Sequence, residues 1–403
     1  MNPAPQIPVA IFLTRFEPGG TERQMTELIR RLDPARFVVH VACFEKAGAW
    51  LPRVAERAAS IAEFPIRGFA RPATFRAVLD FASWCRQQHI AVVQTCDLYA
   101  NIFGLPGAAL AGVPVRIGSR RELNPDKTAG QIRLQRQAYR CATKVVANSS
   151  AARAILEREG VPGSSIAVIP NGIDAAAFAD SRLNTPQRGA GLPAGAPKAR
   201  TGLPAGAPKA RRRVVTVANL RPEKSHETVI AAAAQLAADF PDVQFQIVGD
   251  GPRRAELEAL VREKNLERTV VFLGHREDVA DLLNAADAFV LPSRSEAFPN
   301  GAIEAMAAGL PVVASAVGGL LDLIEPDRTG LLVPPENADA LATALRRLFT
   351  EPELATRLGR SGQTQVRQRY SFERMVASFE ELYTAGLAAR QLSSAHRAQA
   401  AGI

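Results

Sequence analysis

Apolar, strand-like runs alternate with amphipathic, helix-like stretches along almost all of this 403-residue sequence. Six runs of the first half predict strands, at residues 8–14, 37–44, 91–96, 113–119, 144–148 and 166–170. Six more follow, at residues 213–218, 243–249, 270–273, 288–291, 312–315 and 330–333. Because parallel strands need helical crossovers, this alternation predicts an α/β fold of two doubly wound, Rossmann-like parallel-sheet domains. We expect the domains to face a central cleft, with ligands at the carboxyl ends of the strands.

Residues 181–212 interrupt this alternation. They are rich in Pro, Gly, Ala and Arg, and the ten residues GLPAGAPKAR occur twice, at 191–200 and 202–211. A segment with so few bulky apolar side chains cannot bury enough surface to order itself, so we interpret it as a basic linker.

The linker sets the predicted domain boundaries. The N-terminal domain covers residues 1–180 and the C-terminal domain covers 213–370. A helix over 371–388 is expected to pack back on the N-terminal domain, and residues 389–403 form a tail.

Charge is distributed unevenly along the chain. Residues 1–180 carry 22 Lys/Arg against 15 Asp/Glu, whereas residues 214–403 carry 19 against 25. A basic first half suits an anionic membrane surface, a phosphorylated lipid carrier or a nucleic acid, or it is simply a solvated surface. Four cations recur on a predicted helix, and such a stripe fits either a membrane surface or an ordinary solvated face. They are Arg133, Arg136, Arg140 and Lys144.

The sequence gives no support for a membrane-spanning, secreted or metal-binding protein. The first apolar run, residues 9–13, is too short to span a membrane and lacks the basic leader of a secretory signal, which predicts a cytoplasmic protein. The four cysteines form no CxxC pair, and the five histidines never fall at metal-ligand spacing. We therefore expect no metal site and buried free thiols.

The most informative segment is SRSEAFPNGAIEAMAAGLPVVAS, residues 293–315, which passes from a strand end through a polar loop into a helix. Glu296 falls in the loop and Glu304 in the helix, so both can reach one ligand. Asn300 and Gly301 lie where the helix begins, and its unsatisfied N–H groups favour a phosphate. The alternative for this loop alone is a helix cap.

With two glutamates at this spacing, the chain resembles the family-4 retaining glycosyltransferases of GT-B architecture, over residues 9–387. The resemblance implies that Glu296 contacts the donor sugar and that Glu304 holds the nucleotide ribose hydroxyls. It also places Phe298, Pro299 and the helix start at Asn300 beside the donor.

A second segment, VANLRPEKSHE at residues 217–227, resembles the family's basic loop for the donor diphosphate. Lys224 falls in the matching place and would neutralise the departing diphosphate. Asn219 stands where the family usually has an arginine. We expect Arg221 to replace that arginine, because residues two apart in an extended segment share a face.

Two glycine turns agree with the resemblance. The segment IVGDGP ends a strand in Gly249, Asp250 and Gly251, which are expected beside the nucleotide. Gly19 and Gly20 follow the first strand and would let the backbone approach the donor phosphates.

The acceptor side departs from the family pattern. Many members carry a histidine after an N-terminal strand, near the site of transfer, and no histidine occurs at residues 92–101 or 117–122. Asp97, Asn101, Arg120 and Glu122 occupy that neighbourhood, and we expect them to build the acceptor site differently.

The resemblance implies a retaining hexosyltransferase that uses a UDP- or GDP-sugar, a glycan or lipid-linked acceptor and no metal or other cofactor. It implies polysaccharide or cell-envelope glycan synthesis, with the N-terminal domain on the acceptor side and the C-terminal domain binding the nucleotide sugar. From the sequence features above we expect a cytoplasmic protein with peripheral contact to an anionic membrane at its inner face, and no nucleic-acid partner. The alternatives are a nucleotide-sugar 2-epimerase on the same fold and a non-catalytic, nucleotide-sugar-binding scaffold.

Overall fold

The computed structural model describes residues 5–69, 71–123, 127–178 and 212–400, and side chains as far as residue 392. The chain divides into two compact units, Met1–Gly172 with Tyr370–Ile403, and Ile173–Arg369. Residues 181–211 of the predicted linker, with the repeat, lie outside the described residues, as do residues 401–403 of the predicted tail.

The first unit is built on a parallel sheet of seven strands. These are β1 (Ile7–Leu13), β2 (Phe37–Cys43), β3 (Ser60–Glu63), β4 (Val92–Thr95), β5 (Val115–Arg120), β6 (Lys144–Ala147) and β7 (Ile166–Val168). Their order is β3-β2-β1-β4-β5-β6-β7. The central strands are buried on both faces and therefore read as continuous apolar runs.

Helices cover both faces of this sheet. They are α1 (Gly20–Arg31), α2 (Leu51–Ala55), α3 (Pro72–Gln87), α4 (Leu98–Ala111), α5 (Ala129–Tyr139), α6 (Ser150–Arg158) and, from the chain end, α14 (Phe372–Ala400). Helices α3, α4 and α5 pack side by side, whereas α14 packs against α1 and β5. Asp97 caps α4 by accepting hydrogen bonds from two backbone N–H groups, and Gly112 ends that helix in the left-handed conformation.

The second unit repeats the plan with six parallel strands. They are β8 (Arg212–Val217), β9 (Val243–Val248), β10 (Val270–Gly274), β11 (Ala288–Leu291), β12 (Val312–Ser315) and β13 (Leu331–Val333), in the order β10-β9-β8-β11-β12-β13. The helices are α7 (His226–Leu236), α8 (Arg254–Glu263), α9 (Val279–Ala285), α10 (Asn300–Ala307), α11 (Leu320–Leu323), α12 (Ala338–Thr350) and α13 (Pro352–Arg369).

Both sheets reverse their strand order beside their first strand, between β1 and β4 and between β8 and β11. Loops that leave the carboxyl ends of two such strands turn to opposite sides and open a crevice, which is where ligands bind in this class of sheet. Each unit therefore has one switch point at which a binding site is expected.

The predicted fold class is confirmed, and three details of the prediction are wrong. Strand β3 was not predicted, because its half-buried sequence SIAE has no continuous apolar character. Lys144 lies in β6 and not on the predicted basic helix, which ends at Tyr139. The last helix runs to Ala400, well beyond residue 388. Among the described residues, no helix is both long and apolar enough to cross a bilayer.

Candidate active site

The switch point of the second unit carries two long polar loops. One leaves β8 and runs through Lys224 into α7, and the other leaves β11 and runs through Glu296 into α10. The backbone joins them, since the N–H of Arg294 donates to the carbonyl of Glu223 at 2.8 Å. The predicted sugar-contacting and diphosphate-contacting residues therefore come from adjacent loops.

Lys224 and Glu296 meet directly. The Lys224 Nζ donates to Glu296 Oε1 at 2.6 Å, and the Ser293 hydroxyl donates to the same oxygen at 2.7 Å. The Glu296 residue is 6% exposed, so the carboxylate is held in a largely water-excluded place. Both bonds use one oxygen, and Oε2 accepts no hydrogen bond from the described part of the chain.

A glycine pair that the sequence analysis did not select fixes the Glu296 loop. The Gly319 N–H donates to the Glu296 carbonyl at 2.9 Å. Gly318 has φ +52°, and a Cβ there would lie 1.9 Å from that same carbonyl oxygen. Only glycine permits this approach. The available signal was the GG pair after a strand end, but nothing in the sequence links it to a loop more than twenty residues earlier.

Helix α10 begins at the predicted anion-binding position. Pro299 precedes its first residue, Asn300, and Pro299 itself has no side-chain hydrogen bond that caps the helix in the described part of the chain. The dipole of α10 favours an anion at this N-terminus. Glu304 is the fifth residue of α10 and is 7% exposed, and the side chain of Phe298 is also buried.

The predicted glycine turn packs on the basic loop. Gly249 has φ +134°, and a Cβ there would lie 2.1 Å from the carbonyl oxygen of Ala218. The Leu220 N–H donates to the carbonyl of Asp250 at 3.0 Å. Asn219, Asp250 and Arg221 are exposed at this edge, where a ligand can reach them.

The buried side chain of His226 contacts the backbone of the same loop. Its Nε2 lies 3.2 Å from the carbonyl oxygen of Asn219, and the residue is fully buried. Burial lowers the pKa of His226, against a smaller opposing effect of this hydrogen bond.

A network of ion pairs, which the sequence analysis did not predict, links three elements around these loops. Glu227 accepts from Arg253 Nη1 and from Arg294 Nη2, each at 2.7 Å. Arg294 Nε also lies 2.9 Å from Glu336 Oε1. The starts of α7 and α8 and the Glu296 loop are thereby held in one arrangement.

The switch point of the first unit carries Asp97 of the predicted acceptor side. The Thr14 hydroxyl, at the end of β1, donates to Asp97 Oδ2 at 2.8 Å. Burial raises the pKa of Asp97 and of nearby Glu22, although hydrogen bonds partly offset this. Gly19 caps α1 and Gly20 begins it, so both predicted glycines lie at a helix N-terminus of this edge.

Two residues of the predicted acceptor side are structural instead. Asn101 is fully buried and bonds to Thr95 and to Ser119 within the sheet. Arg120 is 2% exposed and forms a bidentate ion pair with Glu159 at 3.0 and 3.2 Å. These bonds satisfy both side chains inside the unit, because helix α4 and the last residue of β5 direct them inwards. We therefore withdraw them from the acceptor site.

Glu122 and Arg121 follow β5, close to the switch point of the first unit. Glu122 is half-buried, 3.7 Å from Lys127 Nζ, and burial raises its pKa. The Arg121 guanidinium donates to Asn171 at 3.1 Å, while its Nε and Nη1 are buried without a hydrogen-bond partner in the described residues. Burial lowers the pKa of Arg121 to about 10. Arg120 and Arg121 are adjacent at the end of β5, and neighbouring residues of an extended segment point to opposite faces. Only one of the two side chains can therefore point towards this edge.

Comparison with known families decides the identity. The family described as "Glycosyl transferases group 1" matches residues 204–365, and "Glycosyltransferase Family 4" matches residues 18–177. The chain belongs to these glycosyltransferases. The predicted family is therefore confirmed, and the two matches fall on the two units of this family-4 glycosyltransferase.

Individual relatives agree with the assignment. The glycosyltransferase is 30% identical over 272 residues to 2-deoxystreptamine glucosyltransferase of Streptomyces kanamyceticus, covering 64% of this chain and 66% of the relative. It is 26% identical over 319 residues to the UDP-Gal:alpha-D-GlcNAc-diphosphoundecaprenol alpha-1,3-galactosyltransferase of Escherichia coli, covering 76% and 79%. The alignments with two other relatives are shorter and cover less than half of each relative's own length, 44% and 42% respectively.

The fold of this glycosyltransferase has solved counterparts. Anabaena HepE in complex with UDP superposes with a TM-score of 0.78 at 21% identity, over 94% of this chain and all of that chain. The likeness establishes the fold class, GT-B. Within the described residues, no three His, Cys, Asp or Glu side chains are grouped as a metal ion would require.

Proposed function

We propose that this protein transfers a hexosyl group from a nucleotide sugar to a glycan or lipid-linked acceptor, with retention of anomeric configuration. The contact between Lys224 Nζ and Glu296 Oε1, at 2.6 Å on the loops that enter α7 and α10, carries the proposal. It brings a cation, a carboxylate and a helix N-terminus to one switch point, where the cation and the helix N-terminus suit the negative charge of a diphosphate and the carboxylate suits a neutral sugar hydroxyl that donates a hydrogen bond.

In this reaction the donor's anomeric C–O bond breaks and the acceptor oxygen forms the new bond on the same face of the sugar. The acceptor proton passes to an oxygen of the leaving diphosphate. Lys224 and the N–H groups of α10 stabilise the negative charge that develops there. Glu296 accepts a hydrogen bond from a sugar hydroxyl, and Glu304 accepts from the ribose diol, so the protein contributes orientation and charge rather than a strong base.

Donor binding requires Lys224 to exchange partners. Without donor, its ammonium is neutralised by Glu296, and a diphosphate brings two further negative charges for it to contact. The exchange leaves Glu296 Oε1 bonded to Ser293 and free to accept from the sugar. Ser293 is fully buried and so keeps the carboxylate in place during this exchange.

We propose that no metal takes part, because Lys224 and the start of α10 supply the positive charge that a divalent cation would otherwise provide. Donor turnover that is unchanged by a chelator supports this, and turnover that a chelator abolishes and Mg²⁺ or Mn²⁺ restores overturns it.

For the partners, we propose a UDP-sugar donor and an acceptor on a lipid diphosphate, as in polysaccharide assembly. The name of the Escherichia coli relative contains both, and the basic N-terminal half suits an anionic acceptor. The cytoplasmic location expected from the sequence remains a prediction.

The deciding experiment measures release of nucleoside diphosphate from UDP- and GDP-sugars, with and without lipid-linked or soluble glycan acceptors. Transfer that is lost in Glu296→Ala supports the proposal, and the anomeric configuration of the product, determined by NMR, tests retention. Donor binding without either transfer or slow hydrolysis favours the scaffold. Conversion of the donor into a 2-epimer favours the epimerase.

A further inference from the structure

Exposed apolar side chains of this protein are concentrated on one layer of the first unit. Of the eight large hydrophobic residues that are exposed in the described part of the chain, five lie on helices α3, α4 and α5. The most exposed are Phe75 at 67% and Leu110 at 57%, and the others are Leu79, Tyr99 and Leu134. Because these helices pack side by side on one face of the sheet, the five side chains project from the outer side of one layer.

The charge of this layer has one predominant sign. Helices α3, α4 and α5 contain four arginines and a single carboxylate, Asp80. Helix α4 has no charged residue. Arg76, Arg86, Arg133 and Arg136 thus share these helices with the exposed apolar side chains, which is the composition of a surface that inserts into the boundary between lipid headgroups and acyl chains.

A cationic groove extends the layer towards α6. It has a volume of about 950 Å³ and is lined by Arg133, Arg136, Arg140 and Lys144. Arg136 donates to the carbonyl of Glu159 and Lys144 to that of Ser164. The guanidinium groups of Arg133 and Arg140 form no hydrogen bond or ion pair with the described residues, so their charges are available to an anionic group.

We propose that the outer surface of α3, α4 and α5, with the adjoining groove, docks on an anionic phospholipid bilayer. The occupant is a membrane and not a second copy of this chain, because a two-fold interface would set the same arginine-rich surface against itself. Aliphatic side chains such as Leu79, Leu110 and Leu134 do not stack on bases, which argues against nucleic acid. The first unit would then lie at the membrane, where a lipid-linked acceptor is found.

The test is co-sedimentation of the full chain with vesicles of phosphatidylcholine alone and of an equal mixture with phosphatidylglycerol, without donor or acceptor. We expect binding to the anionic vesicles that is at least about tenfold stronger than to neutral ones and that weakens from about 0.05 to about 0.5 M salt. Donor hydrolysis in solution is measured separately, so failure of vesicle binding leaves the proposed reaction untouched.

Two variants, each with a matched control, test whether this surface is the one that binds the vesicles. Arg133→Glu/Arg140→Glu should lower the partition coefficient at least about tenfold, whereas Arg262→Glu/Arg268→Glu, an equal charge change at exposed positions of the second unit, should not. Leu110→Ser should weaken binding about threefold or more, and Leu392→Ser, at 63% exposure on α14, should leave it unchanged.

Three outcomes overturn the proposal. They are equal binding to neutral and anionic vesicles, equal losses in a variant and its matched control, and a concentration-dependent dimer in light scattering that Leu110→Ser dissociates. Thermal unfolding of each variant confirms that the fold is kept.

Discussion

Lys224 and Glu296 are 72 residues apart in the sequence and 2.6 Å apart in the structure, on the loops that leave the two strands beside the switch point. The contact is part-buried, and each charge neutralises the other. In the proposed reaction the donor separates the pair, and the energy that this requires is recovered as diphosphate contacts. On that proposal, the pair couples occupancy of the diphosphate position to release of the carboxylate that contacts the sugar.

Replacing either member of this pair should impair the chemical step. For Lys224→Ala and Glu296→Ala we expect kcat to fall about 100- to 1,000-fold. The first variant loses charge stabilisation at the leaving group, and the second loses the carboxylate that orients the sugar. Steady-state kinetics on a soluble acceptor measure the effect. Lys264→Ala, at an exposed lysine beyond α8, is the control and should keep full activity. Full kcat in either pair variant contradicts the assignment.

Glu304 should affect donor binding more than chemistry. Loss of a charged hydrogen bond to the ribose predicts a donor KM about 10- to 100-fold higher in Glu304→Ala, with a smaller change in kcat. The sharper test compares UDP with its deoxyribose analogues by calorimetry. Wild-type protein should distinguish them and Glu304→Ala should not. Glu263→Ala, at the exposed end of α8, should retain the distinction.

The strands could be predicted because parallel strands buried on both faces are continuous apolar runs, as IPVAIFL and FVVHVAC show. The proximity of the 217–227 and 293–315 segments could be predicted because the resemblance rests on short segments whose loops stay together in the fold, while the roles of their residues towards a donor remain predictions. Gly318 could not, since its role is a backbone approach to a distant residue. Asn101 and Arg120 were misjudged because a polar residue near a strand end can face either a ligand or the interior, and only the packing of α4 and α6 decides which.

Arg120 should be required for stability and not for acceptor recognition. Its removal in Arg120→Ala leaves the part-buried carboxylate of Glu159 without its ion pair, which predicts a loss of about 2–4 kcal/mol in the free energy of unfolding. Urea denaturation measures this loss. The acceptor KM of the folded fraction should be unchanged, and a large increase with normal stability would return Arg120 to the acceptor site. Arg153→Ala, in an exposed pair with Glu157, is the control for loss of an arginine.

His226 should make stability depend on pH. Its pKa in the folded protein lies below the ordinary value of about 6.5, so the unfolded chain takes up the proton first as the pH falls. The contribution of His226 to the free energy of unfolding should therefore decrease from about pH 7 towards pH 5, while the raised pKa values of Asp97, Glu22 and Glu122 act in the opposite direction, so the test is the difference between wild type and His226→Gln. Urea midpoints at both pH values measure the difference. His275→Gln, at an exposed histidine, should keep the wild-type dependence.

Gly318→Ala should separate the position of Glu296 from its chemistry. The added Cβ would lie 1.9 Å from the Glu296 carbonyl oxygen, so the loop must move and carry the carboxylate away from Lys224. A positive φ also strains any alanine by about 1–2 kcal/mol, and Gly112→Ala is the control for this, because Gly112 has φ +77° and open space around its Cβ position. Both variants should lose stability, but only Gly318→Ala should lose kcat, by at least about tenfold. Equal kcat values in the two variants would mean that the loop tolerates displacement and that the 2.6 Å contact is not needed for turnover.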